Sequence, residues 1–75
     1  GNLVTNVDAS RASGVRHVRL AGHMIPVRGT YADAAPGELL AVVGSFGRLE
    51  IAANGASAAR TLGCGRGTPI ELLPA

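Results

Sequence analysis

The side chains that most often carry enzymatic chemistry are few in this 75-residue chain, and they stand apart from one another. His17 and His23 have no serine, cysteine or carboxylate pattern near them, and Cys64 stands between two glycines without a second cysteine. A catalytic histidine or thiol needs a neighbour that exchanges its proton or stabilises its charge. We therefore expect these three residues to be structural.

Two carboxylates, Glu50 and Glu71, are also isolated in the sequence, and each is expected to face outward from a strand. Carboxylate catalysis generally requires a positioned pair or a proton partner. The sequence also contains no cluster of cysteine and histidine with the spacing of a metal site. The expectation is thus a domain without an independent active site, metal or cofactor.

Several turns, in contrast, are rich in groups that can bind a neutral ligand. They are Gly1-Asn2, Ser45-Phe46-Gly47 and the turn that begins at Asn54-Gly55-Ala56. A purine edge presents an amino donor beside ring-nitrogen acceptors, which backbone amides and asparagine side chains can match. Tyr31 or Phe46 could stack on the ring. The alternative is that these turns are only structural, since Asn-Gly is a common turn dipeptide.

The elements that would carry these turns are mainly strands. In residues 48–53, Leu49, Ile51 and Ala53 alternate with Arg48 and Glu50, which is typical of a strand with one wet face. Residues 39–43 are continuously apolar, which predicts a strand buried on both faces. In all, six strands are predicted, at residues 2–7, 15–20, 23–27, 39–43, 48–53 and 70–73.

The segments between these strands are predicted as loops, with one exception. Residues 8–14 and 29–37 are rich in turn-forming residues and are predicted to be irregular. Ser57 is a plausible N-cap for one or two helical turns through Leu62, and Gly63 is a natural stop. Six short strands and one short helical turn near residues 57–62 predict an all-β fold, a small barrel or sandwich that forms a single domain over residues 1–75.

Composition indicates that this domain has a partner. At this length only about 60% of the unfolded chain's surface can be buried, and one cysteine precludes an internal disulfide. The chain is 47% hydrophobic but has only two aromatic residues, so a covered apolar face is expected. Because the chain opens at Gly1 without a methionine, directly in a patterned segment, we expect a fragment of a larger protein.

The charge pattern excludes some partners. All seven positive residues are arginine, and they are scattered among acids to give a net charge of +2. A nucleic-acid surface would show a basic stripe with stacking aromatics. The sequence also lacks an apolar stretch of about twenty residues and any sign of an oxidising compartment. We expect a cytoplasmic protein that binds neither nucleic acid nor membrane.

The order of several short motifs resembles the S-adenosylmethionine hydroxide adenosyltransferases, relatives of fluorinating and chlorinating enzymes that act on the same compound. The resemblance extends over the whole chain. Its markers are Gly1-Asn2-Leu3-Val4-Thr5-Asn6, Thr30-Tyr31-Ala32-Asp33, Pro36-Gly37-Glu38, Gly44 through Ala52, Asn54-Gly55, Ser57-Ala58-Ala59 and Leu62-Gly63.

The resemblance implies that this chain is the carboxy-terminal β-barrel domain of a larger two-domain enzyme. Asn2 resembles the asparagine that hydrogen-bonds the adenine, and Tyr31 resembles an aromatic residue that packs on the ring. Ser45 falls where a serine contacts the methionine portion, with Phe46 beside it. The remaining implied substrate-binding residues form the turn whose backbone faces the base: Asn54, Gly55 and Ala56.

The reaction that the resemblance implies is hydrolysis of S-adenosylmethionine to adenosine and L-methionine by attack of water or hydroxide at C5′. The family's water-activating residues belong to the amino-terminal domain, which contacts this domain from a neighbouring subunit of a trimer. Halogenating members have tryptophan where Val4 stands and arginines where Phe46 and Ala53 stand. These departures favour the hydroxide branch, and the isolated domain is expected to be inactive.

Two other hypotheses remain open. The chain could be a structural barrel whose apolar face, above all residues 39–43, builds an oligomer without a ligand. It could also be a stand-alone hydrolase, which would require release of methionine by this chain alone.

Overall fold

Strands form most of the fold, and each predicted strand is present within one residue of its expected bounds. The computed structural model describes residues 2–63, 65 and 67–74, with the backbone alone at Tyr31. The elements are β1 (Leu3–Asp8), α1 (Ala9–Ala12), β2 (Val15–Leu20), β3 (His23–Pro26), a 3-10 turn (Tyr31–Asp33), β4 (Leu39–Val43), β5 (Arg48–Ala53), α2 (Ala58–Leu62) and β6 (Ile70–Pro74).

The strands form two three-stranded antiparallel sheets. The first has the order β1-β5-β4, so β5 is its central strand, and the second has the order β3-β2-β6. In the first sheet Val4 and Val42 both pair with Glu50, from the two sides of β5. Because side chains alternate across a strand, Leu49 and Ile51 then lie on the opposite face of the sheet.

The core fills the space between the two sheets. Leu49 and Ile51 are fully buried there and face Val18 and Ile25 of the second sheet within one apolar cluster. Each such aliphatic side chain contributes about 1.5–3 kcal/mol when it is removed from water. A core of this kind needs no aromatic residues, which agrees with a sequence that has only two.

Within the described residues, backbone hydrogen bonds join the two sheets along one side only. Val27 forms a parallel bridge with Ala41, and the Arg28 N–H donates to the Ala41 carbonyl at 2.8 Å. On the other side, β1 and β6 flank an open cleft of about 700 Å³. The fold is therefore a small, partly open barrel, which confirms the predicted all-β class.

The helical turn predicted near residues 57–62 is confirmed in detail. The Ser57 hydroxyl accepts a hydrogen bond from the Arg60 N–H at 3.2 Å and caps α2. Gly63 ends the helix in the left-handed region at φ 65°, and its N–H donates to the Ala59 carbonyl at 2.9 Å. Both ends of α2 are set by hydrogen bonds between near neighbours in the chain, so the residue types that form them can be recognised in the sequence.

The prediction that residues 8–14 form an irregular loop was wrong, because this segment contains α1. Ala12 is buried in the core, and the Ala9 N–H donates to the Gly47 carbonyl at 2.8 Å. Two long-range contacts thus hold a single helical turn that its own sequence does not specify. Through its hydrogen bond to Gly47, α1 also supports the β4–β5 connection.

Replacing Ile25 by valine should lower the free energy of unfolding by about 0.5–1.5 kcal/mol, because the lost methyl group leaves a void in the core. Its neighbour Met24 is 54% exposed whereas Ile25 is fully buried, so Met24→Ala should change stability by no more than about 0.5 kcal/mol. Urea unfolding of the two variants measures the difference. Equal losses would contradict the inward orientation of Ile25.

Candidate functional site

The predicted binding turn at Ser45 and Phe46 is a tight connection between β4 and β5. The Gly47 N–H donates to the Gly44 carbonyl at 3.1 Å, and the Gly44 N–H donates to the Arg48 carbonyl at 2.8 Å. Gly47 has φ 76°, a conformation that glycine adopts without steric cost. The turn therefore presents Ser45 and Phe46 at its tip, where Phe46 is 93% exposed.

Asn2 lies on the outer face of the same sheet, beside β5. Its side-chain Nδ2 donates to Oε1 of Glu50 at 3.4 Å. The carboxylate of Glu50 also lies against Gly44, where a Cβ atom would overlap it. Since Gly44 precedes Ser45, the Glu50 side chain connects the Asn2 region to the β4–β5 turn.

The motif that contains Tyr31 folds into a capped turn. The Thr30 N–H donates to the Asp33 carboxylate at 3.1 Å, and the Thr30 hydroxyl accepts from the Ala32 N–H at 3.1 Å. This arrangement resembles a capping box, except that the hydroxyl accepts from the second N–H of the turn instead of the third. It fixes the backbone at Tyr31, whose side chain lies outside the described part of the chain.

The rest of this loop covers one end of the outer face. The Glu38 N–H donates to the Ala35 carbonyl at 3.0 Å, with Pro36 and Gly37 in the two central positions and Gly37 at φ 80°. Proline followed by a glycine with positive φ is the pattern of a type II turn. Ala34 then packs in a second apolar cluster with Leu40, Val42 and Ala52.

Asn54 attaches that loop to the sheet. Its side-chain Nδ2 donates to the Ala34 carbonyl at 2.8 Å, and its backbone N–H donates to the Glu38 carbonyl at 3.0 Å. Its own carbonyl accepts from the Gly37 N–H at 2.7 Å. Three polar groups of Asn54 thus hold residues 34–38, while the adjacent Gly55 turns the chain at φ 74° and Ala56 bridges back to Ala53.

The outer face of the β1-β5-β4 sheet therefore brings Asn2 and the Ser45 turn to the two sides of Glu50. The Asn54 turn follows the carboxyl end of β5, where its side chain is engaged with the covering loop. None of the six predicted residues with described side chains lines the cleft between β1 and β6. The arrangement is an open surface with polar and apolar groups, and Val4 on it is 65% exposed.

Glu50 is the residue of this site that its sequence pattern does not reveal. Alternation correctly places it on the face opposite Leu49, but its proximity to Asn2 depends on the pairing of β1 with β5. The two residues are 48 positions apart in sequence. Cross-strand pairing of the two motifs is the only feature from which the contact could be anticipated.

Other kinds of site have no support in the described part of the chain. Among those residues, no three histidine, cysteine, aspartate or glutamate side chains lie close enough together to hold a metal ion. No helix there is long and apolar enough to span a membrane. Cys64 lies outside the described residues.

Comparison with known proteins identifies the family. Residues 1–71 match the family described as the SAM hydroxide adenosyltransferase C-terminal domain. The chain belongs to this family. The match covers strands β1 to β5 and the start of β6, the capped turn at Tyr31–Asp33 and all seven predicted binding residues.

A protein named as a hydrolase of S-adenosylmethionine is also similar to this chain. The chain is 37% identical over 73 residues to the (R)-S-adenosyl-L-methionine hydrolase of Thermus thermophilus, covering 97% of this chain and 28% of that protein. The chain thus spans less than a third of the length of this relative.

Two solved structures have the same fold over a similar share of their length. A conserved hypothetical protein from Thermus thermophilus superposes with a TM-score of 0.75 at 40% identity, covering 80% of this chain and 25% of that one. An uncharacterized conserved protein from Thermotoga maritima superposes with a TM-score of 0.81 at 30% identity, covering 97% and 31%.

Replacing Asn54 by alanine should loosen the loop over the outer face, since the carbonyl of the buried Ala34 loses its donor. The expected local cost is about 1–3 kcal/mol. Amide hydrogen exchange at Asp33 and Glu38 should accelerate accordingly, whereas Asn6→Ala, at an exposed position of β1, should leave both rates unchanged. Wild-type protection in the Asn54 variant would show that other contacts hold the loop.

Proposed function

We propose that this chain is the adenosine-binding half of an enzyme that hydrolyses S-adenosylmethionine to adenosine and L-methionine. The observation that carries the proposal is the family match over residues 1–71. The name of the Thermus thermophilus relative, an (R)-S-adenosyl-L-methionine hydrolase, supports the same substrate and reaction. S-adenosylmethionine is the substrate in this proposal, and no further cofactor is invoked.

The reaction is a displacement at C5′ of the ribose. The oxygen of water or hydroxide forms a bond to C5′ while the bond from C5′ to the sulfonium sulfur breaks. The electron pair of that bond goes to sulfur, so methionine leaves as a neutral thioether, and the water proton goes to a base. Holding the nucleophile and carbon in line can lower such a barrier by about 7–11 kcal/mol in favourable cases.

The chain's own residues bind and orient the substrate in this proposal. Asn2 hydrogen-bonds the adenine, Tyr31 or the exposed Phe46 stacks on it, and Ser45 contacts the methionine portion. The Asn54-Gly55-Ala56 turn faces the adenine ring, and Gly55 permits the backbone to approach that ring closely. The contact from Asn2 through Glu50 to Gly44 supports a site that extends between these groups.

The group that accepts the water proton and the groups that bind the ribose would come from an amino-terminal catalytic domain of the same family, in a homotrimer. The open outer face, with Val4 and Phe46 exposed, suits a surface that a second domain covers. The isolated chain is expected to bind weakly and to catalyse nothing. A cytoplasmic location remains part of the proposal.

A structural barrel without a ligand is the alternative. It was expected to use the apolar residues of β4 for assembly, but Leu40, Ala41 and Val42 are buried against this chain's own core and covering loop. These three side chains are therefore not free for a second copy, and only Val43 at the end of β4 is exposed. The observation favours the ligand-binding proposal.

In water enriched in oxygen-18, the full-length protein that contains this chain should convert S-adenosylmethionine to methionine and to adenosine labelled in its 5′-hydroxyl group. Mass spectrometry of both products measures the label, and the same reaction in ordinary water is the control. Residues 1–75 alone should release neither product. Unlabelled adenosine would exclude attack by solvent at C5′.

Replacing Asn2 by alanine should weaken adenosine binding to the full-length protein by about 1–3 kcal/mol, because a buried hydrogen bond is lost. Tyr31→Ala should cost a similar amount through lost stacking, about 1–3 kcal/mol. Calorimetric titration measures both, with Asn6→Ala as a matched control that should bind normally. Unchanged affinity in both variants would count against the assigned site.

A further inference from the structure

Glu50 occupies the centre of the open part of the outer face, although its sequence pattern indicates only a lone carboxylate on a strand. It is half-buried there. Its backbone pairs with Val4 on one side and Val42 on the other, so its side chain rises between the two outer strands. The Glu50 side chain therefore lies against the sheet and does not extend into solvent.

The contact with Glu50 shows the direction in which the Asn2 amide points. The Oε1 atom of Glu50 lies 3.4 Å from Nδ2 of Asn2. A carboxylate oxygen accepts hydrogen bonds and cannot donate them, so the amide must direct its NH₂ group toward Glu50. The reversed amide would place two acceptor oxygens together. The Oδ1 atom of Asn2 is therefore directed away from Glu50 as an acceptor.

Gly44 makes room for the carboxylate in this position. A Cβ atom built on Gly44 would overlap Oε2 of Glu50 and would lie 3.1 Å from its Cγ. Unlike Gly47 and Gly55, Gly44 does not have a positive φ. Its lack of a side chain is accounted for by the space that Glu50 occupies, not by the backbone conformation.

We propose that Glu50, seated against Gly44, is a positioning residue that orients the Asn2 amide so that the site selects a purine with a 6-amino group. The inference rests on the proposed function, since it assumes that Asn2 contacts the base. Oδ1 then accepts from the amino group, and Nδ2 donates its second proton to a ring nitrogen, as in asparagine–adenine pairs. A 6-oxo purine would bring an acceptor against Oδ1 and is rejected.

The test is the ratio of dissociation constants for inosine and adenosine, measured by calorimetry on the full-length protein. The wild type should prefer adenosine. Glu50→Ala removes the carboxylate that repels the reversed amide, so adenosine should bind about tenfold more weakly while inosine binds no worse, since Nδ2 can then donate to its 6-oxo group. A purely structural defect would weaken both ligands together.

Two further variants separate orientation from charge. Gly44→Ala displaces the Glu50 carboxylate without removing it and should reduce the preference by a similar factor. It also provides the same test if Glu50→Ala fails to fold. Glu50→Gln keeps an acceptor oxygen of the same reach and should retain most of the preference.

Matched controls use the same substitutions elsewhere. Glu71→Ala removes a carboxylate from β6 that pairs with Arg19, and Gly65→Ala adds a Cβ atom that meets nothing within 4 Å. Both should preserve the wild-type ratio. If the wild type binds adenosine but Glu50→Ala and Gly44→Ala keep its selectivity, the positioning role is refuted while the proposed function stands. If the wild type binds neither nucleoside, both fail.

Discussion

The fold and the candidate site both depend on β5, a central strand that must place different chemistry on each of its two faces. On the inner face Leu49 and Ile51 are fully buried in the core between the sheets. On the outer face Ala52 is buried under the loop that carries Ala34, while Glu50 remains half-exposed. Because side chains alternate strictly along a strand, a shift of one residue in register would exchange core and site.

Much of this arrangement can be predicted from sequence because its causes are local. The alternation in residues 48–53 is a direct consequence of strand geometry, and it correctly separates Leu49 and Ile51 from Glu50. Ser57 and Gly63 likewise specify the ends of α2 through hydrogen bonds to their immediate neighbours. Resemblance to the family, carried by ordered short motifs, is confirmed by the match over residues 1–71.

What could not be predicted depends on contacts between distant residues. The helical turn α1 forms because Ala12 reaches the core and Ala9 bonds to Gly47, neither of which a local pattern shows. The contact between Asn2 and Glu50 requires the β1–β5 register, which is irregular between Val4 and Asp8. The segment Thr30 through Asp33 is recognisable in the sequence as a family marker, but the hydrogen bonds by which it shapes the loop backbone are seen only in the structure.

The chemistry in the proposed function requires little acid–base catalysis. A sulfonium sulfur leaves as a neutral thioether, so the leaving group needs no proton from a general acid. The attacking water must lose one proton, and one base on a second domain is sufficient for that. In the proposed function, this domain contributes by holding the two ends of the substrate, the adenine near Asn2 and the methionine portion near Ser45, at a fixed separation. Asn2 and the turn that carries Ser45 both lie beside Glu50 of β5, so the hydrogen-bonded sheet beneath them sets the distance between these two anchors. In this proposal the constraint on C5′ comes from the sheet itself, and the domain contributes to the rate without touching the proton that moves.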